Sequence, residues 1–307
     1  MKYIQKPIHG SLEWLQLRHK HEGKTIVGAS EVSVIMGANH YKNIIDLAIE
    51  KMRDPEVREQ NEAMKRGTFL EQGLLDYASA ELGITIITPD EMYLNGRIIA
   101  TLDGLASHPE KVFEAKTTTA WVQGDACLPE WYWQAQAQMF CTGASVVTFI
   151  VLDRQLRITM FDVPFNAEDS ERMVQQVQKF CESIDAGVLP EDVPLTADQV
   201  GLLHPEPAGE IELGVAGLDI VQRLQAVKEA IKDLESEETE LRNHLANMMR
   251  DADAGTVDGH KIITYKAQST TRFDQKSFSE EHPDLVKQYQ KKTSFRVMRF
   301  VKGATNV

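Results

Sequence analysis

The stretch LDGLASHPEKVFEAK, residues 102–116, decides how the rest of the chain is read. Just before it, MYLNGRIIAT carries β-branched residues on either side of Asn95-Gly96, the strongest short signal for a hairpin. LDG then turns, and KVFEAKTTT reads as a further short strand. Side chains alternate across a strand, so Glu114 and Lys116 share one face and Ala115 takes the other. With Asp103 at a strand end, two carboxylates and one ammonium gather at one edge of a sheet. Asp103 and Glu114 together offer the oxygen donors that a hard cation such as Mg²⁺ takes, with water completing an octahedron. An Asp-Gly turn followed by Glu-x-Lys also arises by chance, as plain surface charge on a strand. The surrounding sequence therefore has to decide.

Working outward, WLQLR (14–18) is an amphipathic helical segment, and GASEVSVIMG (28–37) opens a second helix with Ser30 as its N-cap and Gly37 as its stop. KNIIDLAIEKM (42–52) resumes a helical pattern. NEAMKRGTFLEQGLLDYASAELG (61–83) repeats apolar groups at Leu70, Leu74, Ala78 and Leu82 and ends at Gly83, a helix with a glycine stop. ITIIT (84–88) reads as a strand. On the other side of the central stretch, residues 128–143 read as a helix, 144–153 and 156–165 as strands, and 167–187 as a closing helix with Val174, Val177, Cys181 and Ile184 on one face. The order predicts a mixed α/β core, a central sheet flanked by helices, over residues 1–190. Trp131, Tyr132 and Trp133 read first as core, and otherwise as a platform for stacked bases.

A Pro-punctuated segment, residues 191–214, reads as a linker, and 215–307 as a separate C-terminal region. Within it, Ile220, Leu224, Val227, Ile231, Leu234, Leu241, Leu245 and Met248 fall on alternating four- and three-residue steps, broken only by Glu238. That is a long coiled-coil-like helix, which either packs on its own domain or pairs with another copy. TVDGHKIITYKAQ reads as a hairpin about Asp258-Gly259, HPDLVKQYQ as a short helix, and SFRVMRFVK as a basic strand: a small α/β tail.

The composition sets bounds. The net charge of −13 argues at first against a polyanionic partner. The charge is uneven, however, with ten Lys/Arg against four Asp/Glu from His260 to Val307. Arg272, Lys287, Lys291, Lys292, Arg296, Arg299 and Lys302 read as a solvated face or as a track for duplex phosphates. No apolar run is long enough for a membrane span, and the N-terminus lacks the apolar core and cleavage site of a signal peptide. Cys127, Cys141 and Cys181 are too scattered for a metal knuckle or a disulfide framework, so a cytoplasmic setting is expected.

Asp at a strand end followed by Glu-x-Lys is the arrangement of the PD-(D/E)xK nucleases, and further elements in the same order resemble the YqaJ-type viral recombinase family, the group of the phage lambda exonuclease. Trp14-x-x-x-Arg18 and Gly28-Ala29-Ser30-Glu31 resemble the family's opening elements. Arg66-Gly67-Thr68-x-x-Glu71 resembles its G-x-x-x-E helix, Leu102-Asp103-Gly104-Leu105 with Glu114-Ala115-Lys116 its catalytic core, and Gln134-Ala135-Gln136 its Q-x-Q helix. The resemblance implies a restriction-endonuclease-like fold. It implies Asp103 and Glu114 as ligands of Mg²⁺ (Mn²⁺ as a substitute), Glu71 as a third ligand or outer acid, and Lys116 as the catalytic lysine. Gln134 would position the attacking water, with the polar face of an amphipathic helix as its plainer reading. Arg18 and Ser30 would hold a terminal 5′-phosphate, for which a planar guanidinium fork is suited.

By the same resemblance the expected activity is 5′→3′ digestion of one strand of linear double-stranded DNA, leaving a 3′ overhang for phage-type recombination. A homotrimer and a single-strand annealing partner are implied with it, in a phage or prophage protein of a bacterial cytoplasm. Two alternatives stay open: an endonuclease or structure-specific nuclease on the same fold, and a non-catalytic scaffold that binds DNA ends.

Overall fold

The computed structural model describes residues 1–57, 61–107, 110–119, 127–190, 194–290 and 296–301. His108, Lys291, Lys292 and Lys302 lie outside the described residues. The chain divides into two units, Met1–Leu203 and His204–Val307.

In the first unit, β1 (Lys2–Gln5) leads to α1 (Leu12–His19), whose first turn is closed by Ser11 accepting the Trp14 amide. A two-rung hairpin, β2 (Lys20–His21) and β3 (Lys24–Thr25), is followed by β4 (Val27–Gly28). A 3-10 turn (Ala29–Glu31) and the one-turn α2 (Val32–Ile35) come next. Asn43 and Asn61 then cap α3 (Ile44–Met52) and α4 (Glu62–Leu82) through their side chains, as short polar residues do at N-caps. Gly83 ends α4 at φ +64°, in the left-handed region where glycine carries no Cβ penalty.

The strands form two four-stranded sheets. One runs β1, β5 (Glu91–Asn95), β6 (Ile98–Ala100), β4; Asn95 still pairs with Ile98, so the turn between the central pair falls on Gly96-Arg97, one residue later than Asn95-Gly96. The other contains β7 (Gly104–Ser107), β8 (Glu110–Thr117), β9 (Val146–Leu152) and β10 (Ile158–Pro164), in the order β10-β9-β8-β7. β8 and β9 run parallel, and a parallel pair needs a long crossover, which α5 (Pro129–Thr142) supplies. β7 and β10 pair antiparallel on the outside. The amphipathic α6 (Ala167–Asp185) and α7 (Ala197–Leu203) complete the unit. This is the mixed α/β arrangement the sequence predicts, with the strands shared between two four-stranded sheets. The core joins residues from both sheets and the helices, Val27, Ala100, Trp131, Phe149 and Phe180 among them.

Further local expectations change. ITIIT is no strand: only Ile87 makes a bridge, to Leu105, and Thr88 instead donates its hydroxyl to the Asp103 carbonyl. Ser30 is no N-cap, because the 3-10 turn begins one residue earlier and the Gly28 amide is taken by the Glu31 carboxylate at 2.6 Å. Residues 197–203, read as linker, form α7, and Gln199 donates to Asp46 of α3.

The second unit is dominated by α8 (Gly214–Met249), 36 residues or roughly 54 Å at 1.5 Å per residue. Its apolar stripe from Ile220 to Met248 is exposed. β11 (Ala254–Val257) and β12 (His260–Thr264) form the hairpin expected about Asp258-Gly259, both at positive φ. Two short helices follow, α9 (Gln275–Glu281) and α10 (Pro283–Tyr289). The described part of the expected basic strand, Arg296–Val301, forms no strand; Ser294, Phe295 and Lys302 lie outside the described residues. Among the described residues no helix is long and apolar enough to cross a membrane.

Candidate active site

Asp103 sits in the connection between β6 and β7. Its Oδ2 accepts the Ala115 amide of β8 at 2.9 Å, so the carboxylate is tied to the strand that carries the Glu-x-Lys pair. Gly104 makes this approach possible. A Cβ there would lie 2.6 Å from Ile86 Cγ2 and 2.8 Å from Leu75 Cδ2 of α4. Glu114 and Lys116 do share one face of β8: Lys116 Nζ donates to Glu114 Oε1 at 2.7 Å. The facing helix α5 supplies two amides. Gln134 donates Nε2 to Glu114 Oε1 at 2.5 Å and accepts from Lys116 Nζ at 2.9 Å, while Gln138 donates to Glu114 Oε2 at 2.6 Å. Glu114 is 4% exposed and every oxygen is partnered. Gln136 faces away and bridges Pro164 and Asn166, a structural link.

Arg18 stands at the end of α1 with its guanidinium stacked over Trp14, 4.4 Å from the ring centroid. Its Nη2 donates to Ser30 Oγ at 3.0 Å. Glu71 reaches in, half-buried, from α4. All seven residues singled out in the sequence, Arg18, Ser30, Glu71, Asp103, Glu114, Lys116 and Gln134, line one cavity of about 420 Å³.

The electrostatics follow from crowding. Burial pushes the Asp103 carboxyl well above the usual range, and the charges of Glu114 and Glu71 push it further. Burial and then Glu114 raise Glu71 as well. For Lys116 burial acts downward, but Glu114 and Asp103 outweigh it and lift the ammonium above its ordinary value. Lys116 is therefore a fixed cation at neutral pH, suited to neutralising charge and ill suited to taking a proton. Mutually repelling carboxylates on one wall are the donor set a cation relieves. Among the described residues no group of three His, Cys, Asp or Glu side chains stands ready to hold a metal. The set thus fits Mg²⁺ held by one or two carboxylates and water rather than a closed protein cage.

Sequence reading missed several lining residues. Lys6 and His9 precede α1 with no pattern to mark them. Gln138, which holds Glu114 from behind the cavity wall, does carry a signal, lying four residues after Gln134 and thus on the same helical face. The aromatic trio resolves as core: Trp131 and Trp133 are buried, and Trp131 stacks on Phe149 with ring centroids 5.8 Å apart. The three cysteines are free.

Residues 13–145, a span that contains all seven of the sequence-predicted site residues, match the family model described as the YqaJ-like viral recombinase domain. The curated protein YqaJ of Bacillus subtilis (strain 168), itself uncharacterized, is 24% identical over 299 residues, covering 92% of each chain. Among solved structures, the alkaline exonuclease LHK-Exo from Laribacter hongkongensis is 21% identical. That match covers 58% of this chain and 94% of the other at a TM-score of 0.47. A phage related exonuclease from Haemophilus somnus 129PT is 13% identical, covering 53% of this chain and 95% of its own at 0.44.

Proposed function

We propose that this chain, which carries a YqaJ-like viral recombinase domain over residues 13–145, is a divalent-metal-dependent exonuclease that removes nucleotides 5′→3′ from one strand of linear double-stranded DNA. One observation carries the reading. A carboxylate wall, a fixed ammonium and an Arg–Ser pair line a single cavity of about 420 Å³, a volume on the scale of a nucleotide end.

Asp103 and Glu114 would hold Mg²⁺ or Mn²⁺, with Glu71 as outer carboxylate. When bound, the ion supplies positive charge against the scissile phosphate. Lys116, fixed by Glu114 and Gln134, neutralises charge that builds on phosphorus in the transition state. Gln134 orients the water. Water oxygen bonds to the phosphorus between the first and second nucleotides, and the bond from phosphorus to the first nucleotide's 3′ oxygen breaks. The products are a mononucleotide and a strand with a new 5′-phosphate. Arg18 and Ser30 hold the 5′-phosphate, so each cut regenerates the group they recognise. The 3′ overhang that remains suits a single-strand annealing partner in phage-type recombination, and the family resemblance adds a homotrimer.

The test offers linear duplex with a 5′-phosphate or a 5′-hydroxyl, beside closed circular DNA, in Mg²⁺. The phosphorylated strand is expected to shorten faster from its 5′ end, and Glu114→Ala and Lys116→Ala to abolish cleavage. Cutting of the closed circle would move the function to an endonuclease. Absence of metal-dependent cleavage on every substrate would leave a protein that binds DNA ends.

A further inference from the structure

Behind the Arg18–Ser30 pair lies a lysine with no solvent contact. Lys51, at the end of α3, has a side chain 0% exposed. Its Nζ donates to the Arg18 carbonyl at 2.7 Å and pairs with Glu31 Oε2 at 2.8 Å, and the same Glu31 oxygen accepts the Gly28 amide at 2.6 Å. One ammonium thus ties the end of α1 to the turn that carries Ser30. Burying an ion pair costs desolvation that its attraction only partly repays, and apolar residues of the same volume often serve stability as well or better. Packing alone does not explain the pair.

Charge arithmetic does. The Arg18 guanidinium packs against Gly28, and the Gly28 amide is held by Glu31, so the two charges are neighbours. Without Lys51, Glu31 keeps only the Gly28 amide, and the Arg18 guanidinium packed against Gly28 is a cation within its reach. An Arg–Glu ion pair would turn the fork from Ser30 and cancel the charge that faces the cavity. With Lys51 present, Glu31 is already neutralised and Arg18 keeps one net positive charge for an incoming anion.

We infer that Lys51 and Glu31 are positioning residues that hold Arg18 free and aimed at the 5′-phosphate of the DNA end, and so set the enzyme's preference for phosphorylated ends. The inference rests on the reading of Arg18 and Ser30 as the phosphate clamp. Neither residue touches DNA.

The readout is the ratio of cleavage rates on 5′-phosphate and 5′-hydroxyl linear duplex, measured on the full chain with Mg²⁺. Arg18→Ala tests the reading beneath: its ratio is expected to fall to near unity. Lys51→Met is expected to lower the ratio by about tenfold, the scale of one charge-assisted hydrogen bond, with the rate on 5′-hydroxyl ends little changed. Lys51→Met combined with Glu31→Gln removes the stray carboxylate and is expected to restore the ratio, a rescue that lost packing would not show. Should Lys51→Met fail to fold, Lys51→Gln, which keeps a donor for the Arg18 carbonyl but no charge, carries the test with the same fall in the ratio expected. The inference is overturned if Arg18→Ala loses the preference while Lys51→Met keeps it. It is overturned equally if both rates fall together without rescue, or if a folded double variant has lost the preference. If Arg18→Ala leaves the ratio unchanged, the clamp itself is wrong and the inference goes with it.

Discussion

Burial pushes the Glu31 carboxyl upward, yet Lys51, Arg18 and the Gly28 amide together outweigh it and hold the group at about 2, against an ordinary value of 4.5. A carboxyl lowered in the folded state adds stability that is complete above the unfolded value and is lost as pH falls toward the folded one. Glu31 should therefore support the fold above about pH 4.5 and give up that support on the way to about pH 2. Denaturant midpoints of wild type and Glu31→Gln should converge across that window; a gap that stays constant would refute the assignment. Gly28 makes a second case. Its backbone is extended at φ −73°, open to any residue, but a Cβ would lie 2.6 Å from Arg18 Nε and 2.7 Å from Cζ. Gly28→Ala should leave thermal stability nearly intact while displacing the guanidinium, reducing the preference for 5′-phosphate ends by about tenfold. Equal loss on both kinds of end would point to a folding defect instead. At this scale Asp103, Glu114 and Lys116 were legible because strand alternation alone puts the pair on one face. Lys51 was not: in IIDLAIEKM it reads as an ordinary basic residue at a helix C-terminus, and only the tertiary contact reveals its burial.

Elements were legible where backbone chemistry is local. Asp258-Gly259 turns its hairpin with both residues at positive φ, Gly96 does the same for the first residue of its turn, and Gly83 and Gly143 end α4 and α5 for the same reason. ITIIT failed because β propensity needs a partner, and Ile87 finds a single bridge to Leu105 at the edge of β7. That edge also explains the Asp-Gly of the motif. Gly104 lets β7 press against Leu75 of α4 and Ile86, and this contact sets where Asp103 stands relative to Glu114. Gly104→Ala should force those side chains apart and cost about 1–3 kcal/mol, the usual penalty of overpacking, in denaturant unfolding. Cleavage should fall more steeply than stability, since the Asp103 bond to the Ala115 amide would be strained as well. A stable variant with full activity would show that α4 yields without moving the carboxylate.

At the scale of the whole molecule the two units differ in how much they bury. The hydrophobic clusters and all seven of the sequence-predicted site residues fall within Met1–Leu203. Among the described residues of His204–Val307, only Met249 is fully buried, while Ile220, Val227, Leu234 and Leu241 of α8 are each more than half exposed. A lone helix and a two-stranded hairpin with so little core fall below what independent folding needs. Residues 1–203 expressed alone should unfold in one cooperative transition and retain metal-dependent cleavage of linear duplex. Residues 204–307 alone should show no cooperative transition when dilute, their ellipticity rising with concentration if α8 pairs with another copy. If the shorter chain folds but no longer cuts, the second unit supplies something chemical to the cavity, and the assignment of the whole site to Met1–Leu203 is wrong. If it does not fold, the hydrophobic clusters of the first unit are not sufficient, and the exposed stripe of α8 becomes the first place to look for the missing contact.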